Sequence, residues 1–443
     1  MLIHRSLRLT LAAGLLLLAG CATYPDRTSS AYNDFQRGHL LESVNSYSDT
    51  EVTGSTFLSG AEAGTVALAA GDWKGAESMF KKSVNATREL DRRAVLSLES
   101  ATEGLASWAT NDTTREYFGE GFERVYVHAH LALIYLATGN LDGLFVETRL
   151  ANQLLEREEE LYETEYGAGG LGHFISAVSY ELRGEFDEAL IDYRRMEKKG
   201  VGLELVGRSL VRLATTLNFN DEARQLVETY GDDYERPANA ASIVVIGGVG
   251  LGPVKRESSL AVPTGDGFYA LAVPKYVDAS PNAPGLKLSV GSIEVSLVEI
   301  ENVNAVARAN LKDRLAWIAT KSAARGLLKL GVTRELEKNH GSIGFLIGNL
   351  FALFSERADL RAWQSLPRRW EAGRVFVEPG AHELKLAVAG EDPIKLGTFE
   401  LAPNETMIVI ARSVRNSLYA YPIGGVELND PAELNQAKAA TKP

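Results

Sequence analysis

The sequence predicts a multidomain chain, α then α+β: an N-terminal helical solenoid followed by a β-sandwich-like domain that carries a helical insertion. Three observations predict it. Short turns led by glycine or asparagine recur between apolar helical runs through the first half of the chain. From about residue 236 the pattern changes to short apolar, β-branched runs bounded by Gly and Pro. A helical pattern, about 304–356, interrupts those runs.

The first element is an export signal. Arg5 and Arg8 precede an apolar run over residues 9–18. That run is shorter than the about 20 residues needed to span a bilayer. It ends Leu18-Ala19-Gly20-Cys21, and Cys21 is the only cysteine of the chain. This ending resembles the lipobox of bacterial lipoproteins. The resemblance implies cleavage after residue 20, a diacylglyceryl group on the Cys21 thiol and an acylated amine. Several acyl chains anchor stably, at about 0.8 kcal/mol per buried CH₂. Ala22, rather than Asp, follows the cysteine, which by the same resemblance implies a Gram-negative outer membrane and a periplasm-facing chain. The covalent lipid is the one added group expected; no other cofactor and no metal is. Residues 21–32 are polar after the cysteine and are expected to form a lipidated tether.

Residues 33–235 carry the repeats. Four segments align: GDWKGAESMFKKSV from Gly71, GNLDGLFVETRLAN from Gly139, GEFDEALIDYRRME from Gly184 and NFNDEARQLVETYG from Asn218. Each follows an apolar run, such as EAGTVALAA or HAHLALIYLAT. Gly71 to Gly139 is 68 residues and Gly184 to Asn218 is 34, so the period is near 34; a weaker copy starts at Gly38. The 45-residue gap between Gly139 and Gly184 holds a glycine-rich insert, GAGGLG, at 167–172. The pattern resembles tetratricopeptide repeats, in which helix pairs stack because one pair cannot bury both of its faces.

Residues 236–428 are expected to be α+β. Strand candidates lie at 242–246, 259–262, 269–274 and 286–300, and then in RVFVEP, HELKLAV, IKLGTFEL and TMIVIARSV. Pro379-Gly380 and Pro403-Asn404 sit where hairpin turns are expected. Helices are expected from Ala305 to about Leu336 and over 343–354. The tail, 429–443, is polar.

Chemistry is sparse. The cluster GGVGLGP at 247–253 lacks the third glycine and the Gly-Lys-Ser/Thr of nucleotide loops, and reads as a strand-to-loop turn. His128 and His130 are two apart, the wrong spacing for a zinc site on one helix. The acidic run EREEELYETE, 156–165, reads as a solvated helical face. A net charge of −12 argues against nucleic-acid binding. One stretch interleaves arginine and tryptophan: Arg361, Trp363, Arg368, Arg369 and Trp370 form a candidate surface for an anion or a stacked sugar.

Two blocks, 117–156 and 361–386, are similar to a family of Gram-negative envelope lipoproteins with tetratricopeptide-like repeats and a C-terminal β-rich domain. Leu366, Pro367, Pro379, Gly380 and His382 match its pattern, while the Asp359-Leu360-Arg361 start is offset by one residue. The resemblance brings no catalytic residue. It implies a role near cell-wall assembly. Together the anchor and the repeats predict a non-enzymatic scaffold that binds an envelope protein. The alternatives are a peptidoglycan or carbohydrate binder or hydrolase, and an accessory of a secretion or surface-organelle complex.

Overall fold

The computed structural model describes residues 22–100, 116–163, 167–231, 239–264, 267–329 and 358–428. The signal segment, Cys21, the apolar run 343–354 and the tail 429–443 lie outside these residues.

The described chain is helical over residues 24–230 and sheet-rich thereafter. Its helices are α1 (Tyr24–Arg37), α2 (Leu40–Ser48), the single turn α3 (Thr50–Thr53), α4 (Thr56–Ala69), α5 (Trp73–Ser100), α6 (Gly121–Ala137), α7 (Leu141–Tyr162), α8 (Gly170–Arg183), α9 (Phe186–Lys198), α10 (Leu203–Thr216) and α11 (Asn220–Tyr230). The expected tether is corrected. Residues 24–37 form α1 because Asp26 accepts from the Thr23 amide at 3.0 Å and Pro25 starts the first turn. Tyr24, Thr28, Ala31 and Phe35 then fall on one stripe and are buried.

Four turns build the array. Gly71, Gly139, Gly184 and Asn218 have φ of 74°, 71°, 76° and 60°, the left-handed region that ends helices. Each donates its amide three residues back, and the next residue donates five back: Gly71 to Leu68 and Asp72 to Ala67, and likewise at the other three. The hairpins α4–α5, α6–α7, α8–α9 and α10–α11 result, and each packs on the next. Equivalent positions repeat in chemistry. His128 Nδ1 meets Glu147 at 2.5 Å and His173 Nδ1 meets Asp192 at 3.0 Å, both pairs 19 residues apart. The outer hairpins place Gly60 and Gly207 where the histidines stand.

The two helices of a hairpin differ in burial. All but one of the 14 residues of α4 and 15 of the 17 in α6 are buried, but only five of 22 in α7. A helix that is apolar all round needs cover on every side. The second half of the chain supplies it.

The strands are β1 (Ala241–Val249), β2 (Pro253–Thr264), β3 (Gly267–Asp278), β4 (Leu286–Val290), β5 (Ile293–Ser296), β6 (Val298–Glu301), β7 (Arg369–Val377), β8 (Gly380–Val388), β9 (Ile394–Leu401), β10 (Thr406–Val414), β11 (Ser417–Ile423) and β12 (Val426–Glu427). One sheet has the order β11-β10-β1-β7-β6, with β1 and β10 parallel; a second has β12-β9-β8-β4-β5. β2 and β3 form a separate ribbon, and α12 (Val303–Lys329) follows β6. In β1, Val244 and Ile246 pack toward the helices, while Ile243 and Val245 pack toward the second sheet. Burial on both faces explains why SIVVI is continuously apolar rather than alternating. The described chain is thus three layers: helices, first sheet, second sheet.

Three expectations about strands change. The run 286–300 is three strands, and the chain passes from the second sheet to the first at Leu297. Pro379-Gly380 and Pro403-Asn404 are not hairpin turns. Each carries the chain between sheets, because β7 and β8, like β9 and β10, have different partners. Gly247 and Gly248 continue β1 rather than leave it; a Cβ on Gly247 would lie 2.3 Å from the Leu286 side chain.

Candidate functional site

Residues 358–368 are an irregular strap that crosses the buried face of the helices before entering β7. They are held largely by their backbone. Glu62, in the middle of α4, accepts the Gln364 amide at 2.7 Å and the Ser365 amide at 2.8 Å, one on each carboxylate oxygen. The Tyr24 hydroxyl donates to the same carboxylate at 2.8 Å. Glu123, on α6, accepts the Trp363 amide at 2.8 Å and the Tyr117 hydroxyl at 2.6 Å. From the far side, Arg412 donates to the Ser365 carbonyl at 3.2 Å.

Trp363 is the anchor. Its indole N–H donates to the Thr65 hydroxyl at 3.0 Å, and its ring lies 5.8 Å from Phe80 and 5.1 Å from His130. His130 also meets Trp370 edge to face at 5.4 Å. The His130 Nδ1–H donates to the Tyr126 carbonyl at 2.7 Å, and burial drives its pKa down to about 4, so the ring is neutral. Burial pushes the Glu62 carboxyl up to about 7, against the hydrogen bonds that favour its ionised form.

The proposed Arg/Trp surface is therefore corrected. Trp363 and Trp370 are each 1% exposed and belong to the core. Arg361 pairs with Asp359 at 2.7 Å, Arg368 with Asp278 at 3.3 Å and Arg369 with Glu371 at 2.6 Å. The aromatic rings fill the space between helices and sheet, and the arginines neutralise carboxylates around them.

Neither a protein-family model nor a curated protein sequence matches the chain.

Three further contacts join helices to sheet. Glu301 of β6 accepts the Gly169 and Leu171 amides, at 3.2 and 2.9 Å, at the start of α8. Burial raises its carboxyl to about 7 as well. The glycine-rich insert makes this approach possible: a Cβ on Gly170 would lie 1.9 Å from the Ile300 carbonyl oxygen. Glu181 is held between Arg374, at 2.9 Å, and Arg212, at 2.7 Å; burial opposes its ionisation, and the two guanidiniums outweigh it. Glu120 accepts from Lys255 at 2.5 Å and Arg314 at 2.6 Å. Burial works against that carboxylate too, but the two cations bring it down to about 2.

The acidic run does not lie wholly in solvent. Glu158 turns inward to Arg124 at 3.0 Å, and Glu159 meets Lys199 at 3.1 Å. Among the described residues, no group of three or more His, Cys, Asp or Glu is placed to hold a metal ion, and no helix is long and apolar enough to cross a membrane. Cys21 lies outside the described residues. Sequence reasoning missed Glu62, Glu123 and Glu301. The available signal was a carboxylate set inside an apolar run, as in AEAGTVALAA.

Proposed function

We propose that the chain is a lipid-anchored scaffold of the cell envelope. It is fixed to the outer membrane through Cys21, faces the periplasm and binds another envelope protein without catalysis. In this reading the hairpins stack as a tetratricopeptide-like solenoid and the two sheets form a sandwich behind it. The observation that carries it is the strap. The helical array seats an irregular peptide by its backbone amides and one tryptophan, which is the chemistry of a protein-binding surface. The chain's own residues 358–368 fill that place.

A partner then docks on the outward face of the second helices. Val146 and Ile191 are 53% and 41% exposed. Each lies seven residues after its turn glycine, so the repeat sets them in line. With Trp363 and Trp370 in the core, the carbohydrate-stacking alternative loses the residues that motivated it.

Mild crosslinking in intact envelopes, followed by capture of the full-length chain, tests the reading. A partner captured by the unaltered chain and lost from Val146→Asp/Ile191→Asp supports it; a chain that stays alone sinks it. Labelled palmitate should be incorporated by the unaltered chain and not by Cys21→Ser.

A further inference from the structure

Between α5, α6 and α7 lies a cleft of about 160 Å³. Phe57, Val127 and Leu154 are among its apolar walls. Three arginines line it as well, Arg88 from α5, Arg124 from α6 and Arg157 from α7. This convergence of cations is unexpected in a chain of net charge −12. Arg124 donates through Nη2 to Glu158 at 3.0 Å, but its buried Nε has no acceptor among the described residues. Arg88 and Arg157 are exposed, and neither makes an ion pair or hydrogen bond with a described residue. Glu158 neutralises Arg124, while Arg88 and Arg157 bring two further guanidiniums to the same opening.

We propose that this cleft binds a small organic anion, with a carboxylate or phosphate head among the arginines and an apolar body against Val127 and Leu154. Guanidinium is the side chain best matched to such heads, because its planar fork can donate two parallel hydrogen bonds. The size limits the body. An apolar cavity of about 150 Å³ accommodates benzene, so the occupant is a free solute with one ring or a short chain, not a long acyl group. The site shares no lining residue with the strap; on α7 it continues the stripe that carries Val146, through Leu150, Leu154 and Arg157.

Equilibrium dialysis of the purified full-length chain against four probes tests it: phenyl phosphate, benzoate, phenol and inorganic phosphate. Saturable binding is expected for phenyl phosphate and benzoate, and binding at least about tenfold weaker for phenol, which lacks the charge, and for inorganic phosphate, which lacks the body. Arg157→Gln and Arg88→Gln should each weaken phenyl phosphate about tenfold. Both residues are exposed, so both variants should keep the parent melting temperature. Leu154→Trp fills the cleft and should abolish binding. Arg224→Gln, an exposed arginine on α11, should leave it unchanged. Phenol binding as tightly as phenyl phosphate, loss of binding in Arg224→Gln, or no saturable binding of either anion would overturn the proposal.

Discussion

The backbone amide of Ser365 donates to Glu62 Oε2 at 2.8 Å across 303 residues of sequence. A carboxylate in the middle of an apolar helix thus ties the strap to the N-terminal half of the chain. Its environment makes that contact sensitive to pH.

Glu62 and Glu301 each have a folded pKa of about 7 against an ordinary 4.5. Between those values the folded chain holds more protons than the unfolded one. Their contribution is full below about pH 4.5 and is lost as pH rises through about 7, at most on the order of 3 kcal/mol per site. His130 works in the opposite sense, since its folded pKa is about 4 against 6.5, so its contribution is lost as pH falls below 6.5. Urea unfolding between pH 5 and pH 8 should show Glu62→Gln flattening the decline toward pH 8. The same variant should cost about 1–2 kcal/mol at pH 5, where its amide cannot accept from both backbone donors. An unchanged slope would remove Glu62 as the cause.

Trp363→Ala should destabilise the chain by about 3–5 kcal/mol, the usual cost of emptying a buried aromatic site. Because the ring touches both Phe80 and His130, helical and near-ultraviolet signals should fall together. A sheet region that keeps its melting point while the helices loosen would contradict the shared core.

Lys255 is 2% exposed and pairs with Glu120. Lys255→Met leaves that carboxylate buried with Arg314 alone and should cost about 3 kcal/mol. Arg183→Ala, which breaks a surface pair with Asp142, should cost less than about 1 kcal/mol. Denaturant midpoints of the two variants give the comparison, and equal losses would mean that burial is irrelevant at Glu120.

Two turn glycines with the same backbone should respond differently to alanine. Gly139 has nothing within 4 Å of an added Cβ, so Gly139→Ala should cost only the about 1–2 kcal/mol of left-handed backbone. At Gly71 the same atom would lie 2.5 Å from the Tyr421 ring. That ring stacks edge-on with Trp73, and its hydroxyl donates to the Ala69 carbonyl at 2.8 Å. Gly71→Ala should therefore cost more, in thermal melts of the two variants side by side.

The helical half was legible because its punctuation is local. A glycine or asparagine at φ > 0 and an apolar run before it identify each turn without knowledge of its neighbours. The strands were legible for the same reason, but their partners were not. Nothing within β1 or β10 says that the two run parallel, since 164 residues separate Ser242 from its partner Thr406. The Arg/Trp stretch misled because alternating charge and ring is also what a surface looks like. Here Asp359, Asp278 and Glu371 neutralise the arginines, and only the fold brings Asp278 to Arg368. The GAGGLG insert looked like a break in the repeat period; its cause, the approach of the Ile300 carbonyl, lies 130 residues away.

The strap also sets an order of events during synthesis. A ribosome completes α4, ending at Ala69, and α6, ending at Ala137, well over 200 residues before the tryptophan that packs against them. Until then α2, α5 and α7 cover only part of α4 and α6, and the face toward the strap stays open, the kind of exposed apolar surface on which nascent chains aggregate. A product truncated before residue 363 would lack the side chain that fills this place, so the late half of the polypeptide completes the core of the early half.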